Sequence, residues 1–449
     1  MDVTQQKTLG WLGIVRLGLV QASLGGIVVL MTSTLNRVMT AELGLIAMLP
    51  GVLLGIQYAV QLSRPRWGYG SDVGGKRTPW ILGGMLVLAI GGIGAAASVA
   101  VFETSFLSGL IGSILSYIVI GIGAGAAGTN VLALLASQTK PSRKAAAAAI
   151  AWTMMIAGFV ISTATAAAYL DDFSMLQLVR VVTVISIIGV LISCLAMWRL
   201  EQPKVARPVD ANSDNKTEDF LIALKAAWDD PQARLFTIFV FISMLGYSAQ
   251  DLVLEPFAGI IFDFTVAEST RLTSQMHSGA LIGMIGTAVI ATVFGKSRAR
   301  FMRTWTIFGC LAAAIAFLGL VMAAAMPSVW PLIPTVFVLG VTLGVFTVAA
   351  IGSMMVLASA GEPGREGTRM GLWGASQAIA MGLGALLGTI ILDVSRWIIG
   401  SAAPAYAIVF ATEAVLFVIA AACAALIGRT SADEMDMPIM PSAELVSAE

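Results

Sequence analysis

Asp251 and Glu255 are two carboxyl groups inside a long apolar stretch of this sequence. They are four residues apart, so a helix places both on one face. An ionisable group in a bilayer costs several kcal/mol unless it is paired or solvated. The pair therefore fits a protonation site of a proton-coupled carrier, in which one carboxyl group favours the protonated form of the other. The alternative places Glu255, which Pro256 follows, at the outer membrane interface.

Two nitrogen-bearing side chains complete this set of candidates. Arg37 ends the first apolar stretch and is a candidate partner for Asp251 or Glu255 in an ion pair between the two halves of the chain. A plain interfacial arginine is the alternative. His277 is the only histidine. Because neutral imidazole is a common metal ligand, His277 is a candidate ligand, and a structural histidine near the interface is the alternative.

The other polar residues of the apolar stretches are less specific. Five amides fit either interhelical hydrogen bonds or contacts to a bound molecule: Gln57, Gln61, Asn130, Gln138 and Gln377. The cysteines indicate neither a disulfide framework nor a metal site, because they lie in separate stretches without a CxxC spacing: Cys194, Cys310 and Cys423. The motifs of soluble catalysis, such as a Walker loop or HExxH, are absent, so enzymatic activity is not expected.

These residues are carried by apolar stretches that are long enough to cross a membrane. Of 449 residues, 58% are hydrophobic and 12% are charged, which is about half the charge of a soluble protein. About 20 apolar residues span a bilayer as a helix. The sequence predicts twelve spans, at residues 17–37, 43–62, 79–101, 107–136, 145–168, 177–198, 234–261, 273–294, 303–325, 330–356, 369–392 and 402–427.

The basic residues predict how the spans are oriented. When alternate loops are assigned to opposite sides, 22 of the 26 lysines and arginines fall on one side. Cytoplasmic loops carry the excess of basic residues. We therefore expect a multi-pass protein of a bacterial inner membrane with both termini in the cytoplasm. The basic residues on the other side are Arg37, Arg180, Arg271 and Arg396.

The predicted spans divide into two sets of six. Residues 200–232 are the one long polar interruption, and we expect a cytoplasmic linker there with a short amphipathic helix in its second part. The predicted halves are residues 1–199 and 233–428, and residues 429–449 form a cytoplasmic tail.

A short sequence pattern after the fourth span recurs after the tenth, at a constant offset of 222 residues. Such a parallel six-plus-six repeat is the internal symmetry of the major facilitator architecture. The matching residues are Leu135, Ala136, Ser137, Pro141 and Arg143 in the first copy, and Leu357, Ala358, Ser359, Pro363 and Arg365 in the second.

The loop between the second and third spans resembles the signature loop of the major facilitator superfamily. It carries two glycines, an acidic residue and two basic residues in the family's spacing: Gly68, Asp72, Gly75, Lys76 and Arg77. The glycines allow a tight turn, and the carboxylate can face a helix amino terminus. The resemblance implies an all-α membrane protein with the major facilitator fold, twelve transmembrane helices in two six-helix pseudo-symmetric halves. It also implies that the loop locks one conformation. Val73 departs from the basic residue that many members have there.

Longer runs of sequence resemble a particular family, the PucC and LhaA family of phototrophic bacteria. These runs are GWLGIVRLGLVQASLG at 10–25, VVLMTSTLNRVM at 28–39 and QLSRPRWGYGSDVGGKRTPWILGG at 61–84. The seventh span is similar to that family at Gln250, Asp251, Leu254, Glu255, Pro256 and Gly259. The resemblance implies an assembly factor for photosynthetic light-harvesting complexes that binds bacteriochlorophyll and delivers it to antenna polypeptides of the reaction centre core or the peripheral antenna.

The same resemblance implies a site and partners. The pigment-binding candidates are His277, Gln250, Asp251, Glu255, Asn130 and Gln57. In a pigment carrier, His277 is the candidate axial ligand of the magnesium. Asp251, Glu255 and Gln250 are candidates to bind a carbonyl group or a magnesium-bound water. The expected partners are light-harvesting antenna polypeptides, the reaction centre complex, pigment-synthesis enzymes and membrane lipid, but not nucleic acid. The expected location is the inner, intracytoplasmic membrane of a phototroph.

Two other functions are compatible with the sequence. The loop from RxxWG to KRTPW also looks like that of glycoside and hexuronide symporters, which indicates a proton- or sodium-coupled carrier of a sugar or drug. Such a carrier predicts a polar central cavity, and the first, fourth and fifth spans show little of that. A scaffold that uses the fold without any cargo is the third hypothesis.

Overall fold

The structure is a computed structural model that describes residues 9–64, 67, 71, 76–140, 144–201, 228–229, 231–294, 298–359 and 366–427. Within these residues the chain forms twelve long helices. Those of the first half are α1 (Trp11–Glu42), α2 (Met48–Gln61), α3 (Thr78–Val101), α4 (Phe106–Gln138), α5 (Lys144–Tyr169) and α6 (Met175–Met197). Those of the second half are α7 (Pro231–Ile261), α8 (Val266–Phe294), α9 (Arg298–Ala325), α10 (Leu332–Ser359), α11 (Glu366–Ile399) and α12 (Ala402–Leu426).

The helices have the length and composition of membrane spans. Ten of those in the described residues are long and apolar enough to cross a bilayer, and α2 is a shorter apolar helix of 14 residues. The helix α8 is long but is not among the ten. It carries several polar residues in its first half, and three of them contact the first half of the chain: Thr270, Ser274 and His277. The predicted multi-pass helical protein is confirmed.

Two helix ends differ from the predicted spans by seven residues: the end of α11, at Ile399 instead of residue 392, and the start of α8. The hydropathy pattern starts the span at residue 273, whereas the helix begins at Val266. Thr265 and Glu268 form a capping box there: the Glu268 carboxylate accepts from the Thr265 amide at 2.8 Å, and the Thr265 hydroxyl accepts from the Glu268 amide at 3.2 Å. A capping box satisfies the free amides of the first turn, so the helix starts before the apolar run does.

Helix α1 is bent near the end that leads to α2. Ser33 breaks the helix with φ −101° and ψ −84°, and its hydroxyl donates to the Val29 carbonyl at 2.8 Å. A hydroxyl bonded to the carbonyl four residues earlier competes with the backbone and bends a helix. Residues Val38–Glu42 then form a π-helical turn. The bend and this turn give α1 a different direction where it meets the second half.

Each half has its own apolar core. The first core is built by α1 to α6, with Val266 and Ala267 added from α8. The second is built by α7 to α12, with Ala47 added from the start of α2. Most of the predicted linker at 200–232 and all of the predicted tail at 429–449 lie outside the described residues.

Two names for the ends of the bundle are used below. The basic end is the one where α2 leads to α3 and where the sequence concentrates lysine and arginine. The opposite end is the one where α1 leads to α2 and α7 leads to α8.

Candidate functional site

The two halves meet along four helix pairs: α1 with α7, α2 with α11, α5 with α8, and α1 with α8. At the first pair the Asn36 side chain donates to the Leu252 carbonyl at 2.6 Å. At the third the Ser274 hydroxyl donates to the Val160 carbonyl at 3.2 Å. This seam between the halves is therefore held partly by polar side chains that reach backbone atoms of the other half.

Three polar contacts between the halves lie at the opposite end, and we call them the seal. They are Arg37 with the Phe264 carbonyl at 2.5 Å, the amides of Ala47 and Met48 with Asp393 at 3.2 and 2.6 Å, and Arg271 with Asp171 at 3.7 Å. Within the described residues the structure is therefore in a conformation closed at the opposite end.

Asp393 provides the best-defined contact of the seal. Its two carboxylate oxygens accept from the backbone amides at the start of α2, although Asp393 itself belongs to α11. A carboxylate at a helix amino terminus satisfies free amides and interacts favourably with the helix dipole. The contact therefore ties the start of a first-half helix to the second half.

A small polar cleft lies next to the seal, at the bend of α1. Its cavity volume is about 10 Å³, about the room that one water molecule needs. We call it the central cleft, and it is lined by Val29, Thr32 and Ser33 of α1, Gln250, Asp251 and Leu254 of α7, and Thr273, Met276 and His277 of α8. The structure thus brings together three of the six candidate pigment ligands: His277, Gln250 and Asp251.

His277 faces the cleft from α8. Its ring makes an edge contact with Phe159 of α5, with centroids 4.9 Å apart and planes at 66°. The side chain is 4% exposed. No hydrogen bond joins the imidazole to any part of the chain that the structure describes, so its nitrogen atoms are available to a ligand.

Gln250 and Asp251 enter the cleft from α7. The Gln250 amide nitrogen donates to Asp251 Oδ1 at 3.1 Å. The Gln250 amide oxygen is buried and has no hydrogen-bond partner within the described residues. Buried polar atoms are nearly always paired. The free oxygen is therefore an acceptor for a donor that the described part of the chain does not supply.

Glu255 lies one turn further along α7 and faces α8. The Thr273 hydroxyl donates to Glu255 Oε1 at 2.5 Å, and the Thr270 hydroxyl reaches Oε2 at 3.5 Å. The residue is 1% exposed, so its carboxyl group is enclosed by the protein. Thr273 also lines the cleft, which connects Glu255 to it.

The expected ion pair between Arg37 and Asp251 or Glu255 is replaced by another pair. The Arg37 guanidinium pairs with Glu42. The two residues are five apart on a segment that ends in a π-helical turn, and the hydrogen bonds of such a turn join residues five apart. A partner on the same segment requires less ordering than one on another helix. Arg37 still joins the halves, because it donates to the Phe264 carbonyl and packs against Gly259.

The remaining amide candidates lie away from the cleft. Gln57 of α2 and Asn130 of α4 are buried in the first half, and neither lines the central cleft. The Asn130 amide donates to the Ala126 carbonyl of its own helix at 2.9 Å. Gln61 accepts from Arg64. The structure therefore does not bring Gln57 and Asn130 together with His277.

The signature loop is described only in part. Gly68, Asp72 and Gly75 lie outside the described residues, while Lys76 and Arg77 lie within them. The Arg77 side chain donates to the Ala133 carbonyl of α4. The start of α3 is capped by Glu201, which accepts from the Arg77 and Thr78 amides at 2.6 Å each. Sequence reasoning did not single out Glu201 as a capping residue.

Sequence reasoning also missed Glu413 of α12. Glu413 is 1% exposed, and neither carboxyl oxygen has a hydrogen-bond partner within the described residues. The signal was present, because Glu413 is the only charged residue of α12. A single acid in an apolar span is a functional candidate by default.

The cleft offers binding chemistry of a limited kind. It presents one imidazole, one carboxyl group, one amide and several hydroxyls around a space for about one water. Groups of three or more His, Cys, Asp and Glu that could hold a metal ion do not occur in the residues that the structure describes. The arrangement supplies single ligands and hydrogen bonds to a larger bound molecule.

The chain matches a protein family and is similar to known proteins over most of its length. The family described as "PUCC protein" matches residues 34–432. The "Bacteriochlorophyll synthase 44.5 kDa chain" of Rhodobacter capsulatus is 44% identical over 416 residues, which cover 92% of this chain and 95% of that relative. "Protein PucC" of Rhodobacter capsulatus is 28% identical over 437 residues, covering 92% of this chain and 91% of the relative.

Comparison with solved structures shows the fold. The crystal structure of a mutant of the peptide transporter POT superposes with a TM-score of 0.70 at 14% identity, covering 96% of this chain and 99% of that one. The likeness at this identity concerns the fold alone. The predicted major facilitator fold, with twelve helices in two halves, is confirmed.

Proposed function

The chain belongs to the PUCC protein family, and on that premise we propose that it is an assembly factor for photosynthetic light-harvesting complexes. It binds bacteriochlorophyll and delivers it to antenna polypeptides of the reaction centre core or the peripheral antenna. Two findings support a role in photosynthesis: the family match over residues 34–432 and the bacteriochlorophyll in the name of the 44% identical relative. The observation that carries the pigment site is His277, which faces the central cleft without a hydrogen bond to the described residues.

The donor chemistry of the cleft fits a magnesium pigment. Neutral imidazole is a metal ligand, and His277 presents its ring to the cleft next to Gln250, whose amide oxygen is unpaired. His277 would hold the magnesium, and the Gln250 and Asp251 side chains would hydrogen-bond polar substituents of the ring. When bound, the pigment supplies the light-absorbing macrocycle, and the protein's task is to hold it and release it.

The size of the central cleft indicates whether this conformation can hold a pigment. Pockets that enclose organic ligands measure about 300 to 1,000 Å³, whereas the central cleft measures about 10 Å³. This conformation therefore corresponds to the form without cargo. A pigment would enter as the seam between the halves opens along α1, α7 and α8.

The proposed setting follows from the sequence and the family. The chain lies in the inner membrane of a phototroph, with both termini in the cytoplasm. Its partners are newly inserted antenna polypeptides, the reaction centre complex and pigment-synthesis enzymes. Although the 44% identical relative carries the name of a synthase, we propose that this chain binds pigment and does not catalyse its synthesis.

A proton-coupled solute carrier is the second candidate. The observations that favour it are three carboxyl groups in spans of the second half, the buried Glu255 and Glu413 and the half-buried Asp251, within a fold shared with a peptide transporter. A solute carrier would accumulate a sugar, a peptide or a drug in proteoliposomes under a proton gradient. A pigment carrier would not.

The proposed function is tested by the near-infrared spectrum of the protein purified in mild detergent from its phototrophic host. We expect stoichiometric bacteriochlorophyll in the native protein and a loss of most of it in His277→Ala. The double variant Asp251→Asn/Glu255→Gln tests the carboxyl groups in the same way. The matched control is Gln275→Ala, on the same helix but outside the cleft lining, which keeps the pigment.

A protein that is colourless after purification, and that takes up no pigment on reconstitution, would contradict the pigment-binding function. Uptake assays in proteoliposomes would then decide between the solute carrier and the scaffold without cargo.

A further inference from the structure

Glu413 is enclosed in the second half, and no group of the described residues pairs with it. It is 1% exposed, and both carboxyl oxygens lack a hydrogen-bond partner within the described residues. A carboxylate in that position would have neither a donor nor a cation, and an uncompensated buried charge is strongly unfavourable. The neutral acid, with a proton on one oxygen, is the form that these surroundings accommodate.

The helix packing fixes the height of Glu413 in the bundle. A Cβ on Gly246 of α7 would lie 3.3 Å from Leu416 and 3.4 Å from Phe417 of α12. The two helices are antiparallel. Glu413, about one turn before Phe417, therefore lies level with the residues about one turn after Gly246 on α7, which are Gln250 and Asp251.

Asp251 connects Glu413 to the cleft. Its carboxyl group interacts electrostatically with that of Glu413, and it lines the central cleft, which has room for about one water. Its one hydrogen bond within the described residues comes from Gln250 at 3.1 Å. The two acids thus lead from the closed interior of the second half to the seam between the halves.

The neighbouring charged and titratable groups do not neutralise either acid. Tyr58 of α2 and Tyr247 of α7 interact electrostatically with Asp251. His277 of α8 lines the same cleft and forms no ion pair with Asp251 within the described residues. The cation nearest to Tyr58 is Arg64, which donates to Gln61. Glu255 is bonded to the threonines of α8.

The charged residues of α9 and α11 in the described part of the chain lie near the helix ends. Arg303 of α9 donates to the Ala425 carbonyl, about 18 Å along α12 from Glu413. Asp393 of α11 caps α2. Arg396 lies in the last turn of α11. None of them forms an ion pair with Glu413 or Asp251 within the described residues.

We propose that Glu413 and Asp251 form a proton-binding site in the second half, whose protonation favours the conformation closed by the seal. This site is independent of the nature of the cargo. Because the closed conformation encloses Glu413 without a donor, it binds the proton more tightly than a conformation in which water reaches the pair. Linkage then requires that proton binding stabilise the closed form and that proton release accompany opening.

The proton step is balanced within the chain and water. On opening, water reaches the pair: the O–H bond of the Glu413 acid breaks as an O–H bond forms on that water, which in turn gives a proton to the Asp251 carboxylate. The proton then passes from Asp251 to a water of the widened cleft, which becomes hydronium. Closing runs the same steps in reverse, and no other reactant is needed.

The first test is the infrared spectrum of the full-length protein in detergent at neutral pH. A carboxylic acid C=O band that exchanges slowly in D2O is expected in the wild type and is lost in Glu413→Gln. Glutamine has the shape of the neutral acid, so this variant is expected to fold. The control Glu103→Gln removes an exposed acid and keeps the band. A band of equal intensity in wild type and Glu413→Gln would overturn the proposal.

The second test measures the seal directly. Spin labels on Ile46→Cys and Ile398→Cys, both exposed at the opposite end and in different halves, report opening in a background in which the native cysteines are replaced by serine. The pH is raised from about 5 to about 8, which is well above the ordinary pKa of a carboxyl group in water. In the protein that has Glu413, we expect this change to increase the population in which the two spin labels are far apart. Glu413→Gln is expected to keep the short distance at every pH.

The variant Asp393→Ala serves as the positive control, because loss of the cap on α2 should lengthen the distance at low pH. If Asp393→Ala opens the seal while the protein with Glu413 shows one distance at every pH, the proposal is overturned. A pH response that persists unchanged in Glu413→Gln also overturns it.

Discussion

At the scale of single residues, the buried polar groups of the second half differ in whether the chain supplies a partner. Glu255 receives hydrogen bonds from two threonines of α8. The Gln250 oxygen and both Glu413 oxygens receive none within the described residues. Unpaired buried polar atoms are rare in folded proteins. The fold therefore supplies hydrogen-bond donors to Glu255, whereas the oxygens of Gln250 and Glu413 are available to a ligand or a proton.

This difference predicts the effect of removing the Thr273 hydroxyl. Thr273→Val keeps the shape of the side chain and leaves Glu255 Oε1 without its donor at 2.5 Å. We expect the free energy of unfolding in detergent to fall by about 1 to 2 kcal/mol. Denaturant titration followed by circular dichroism measures it.

Thr273→Ser is the matched control, because it keeps the hydroxyl and removes only a methyl group. It should retain most of the stability that Thr273→Val loses. Equal stability of Thr273→Val and the wild type would show that the hydrogen bond to Glu255 contributes nothing.

At the scale of helices, the close packing of α3 against α4 depends on glycines that face the partner helix. A Cβ on Gly84 would lie 2.6 Å from the Ala127 amide nitrogen and 2.9 Å from the Gly123 carbonyl oxygen. Both contacts are with backbone, which a side-chain rotation cannot relieve. The neighbouring Gly83 points to open space, with no atom within 4 Å of its Cβ position. A Cβ atom would therefore clash with backbone at Gly84 and has room at Gly83.

The pair predicts opposite effects for the same substitution. Gly84→Ala should lower the free energy of unfolding by about 1 to 3 kcal/mol, because the helices must separate. Gly83→Ala should leave it unchanged or raise it by about 0.5 to 1 kcal/mol, because alanine favours the helix over glycine. Thermal unfolding of the two variants side by side checks the difference. If both variants melted at one temperature, the packing contact at Gly84 would have no energetic role.

At the scale of the whole molecule, the seal and the central cleft belong to one conformational state. The three contacts of the seal join α1, α2 and the α5 to α6 loop to the second half at one end of the bundle. The central cleft lies directly inside them and is too small for an organic cargo. Movement of the halves about the seam would break the seal and widen the cleft together, because the same helices form both.

The predicted orientation is a property of the whole molecule. We expect a membrane-impermeant thiol reagent added to spheroplasts to modify Ile398→Cys, at the opposite end. The same reagent should modify Trp228→Cys, at the basic end, only after the membrane is permeabilised. Both positions are exposed, and the native cysteines are replaced by serine.

The physical reason for this expectation is the distribution of lysine and arginine, which is retained on the cytoplasmic side during insertion. Reagent access in the reverse order would place the termini outside the cytoplasm and contradict the prediction.

The sequence by itself determined the elements of this fold. Each span is a local run of apolar residues, and its need to pair every backbone group inside the bilayer makes it a helix whatever its neighbours are. The twelve spans and the helical class were therefore predictable, as was the face shared by Asp251 and Glu255. The start of α8 was missed by seven residues because the capping box at Thr265 and Glu268 lies outside the apolar run.

Only the tertiary structure decided which faces meet. The spacing of residues places His277 and Asp251 on their helices, but not around one cleft, because the contact depends on how α1, α7 and α8 cross. For the same reason the sequence paired Arg37 with the acids of α7, while the fold pairs it with Glu42. Glu413 was visible as an acid in an apolar span. Its lack of any partner, which is what gives it a proposed role, exists only once α12 is packed against α7.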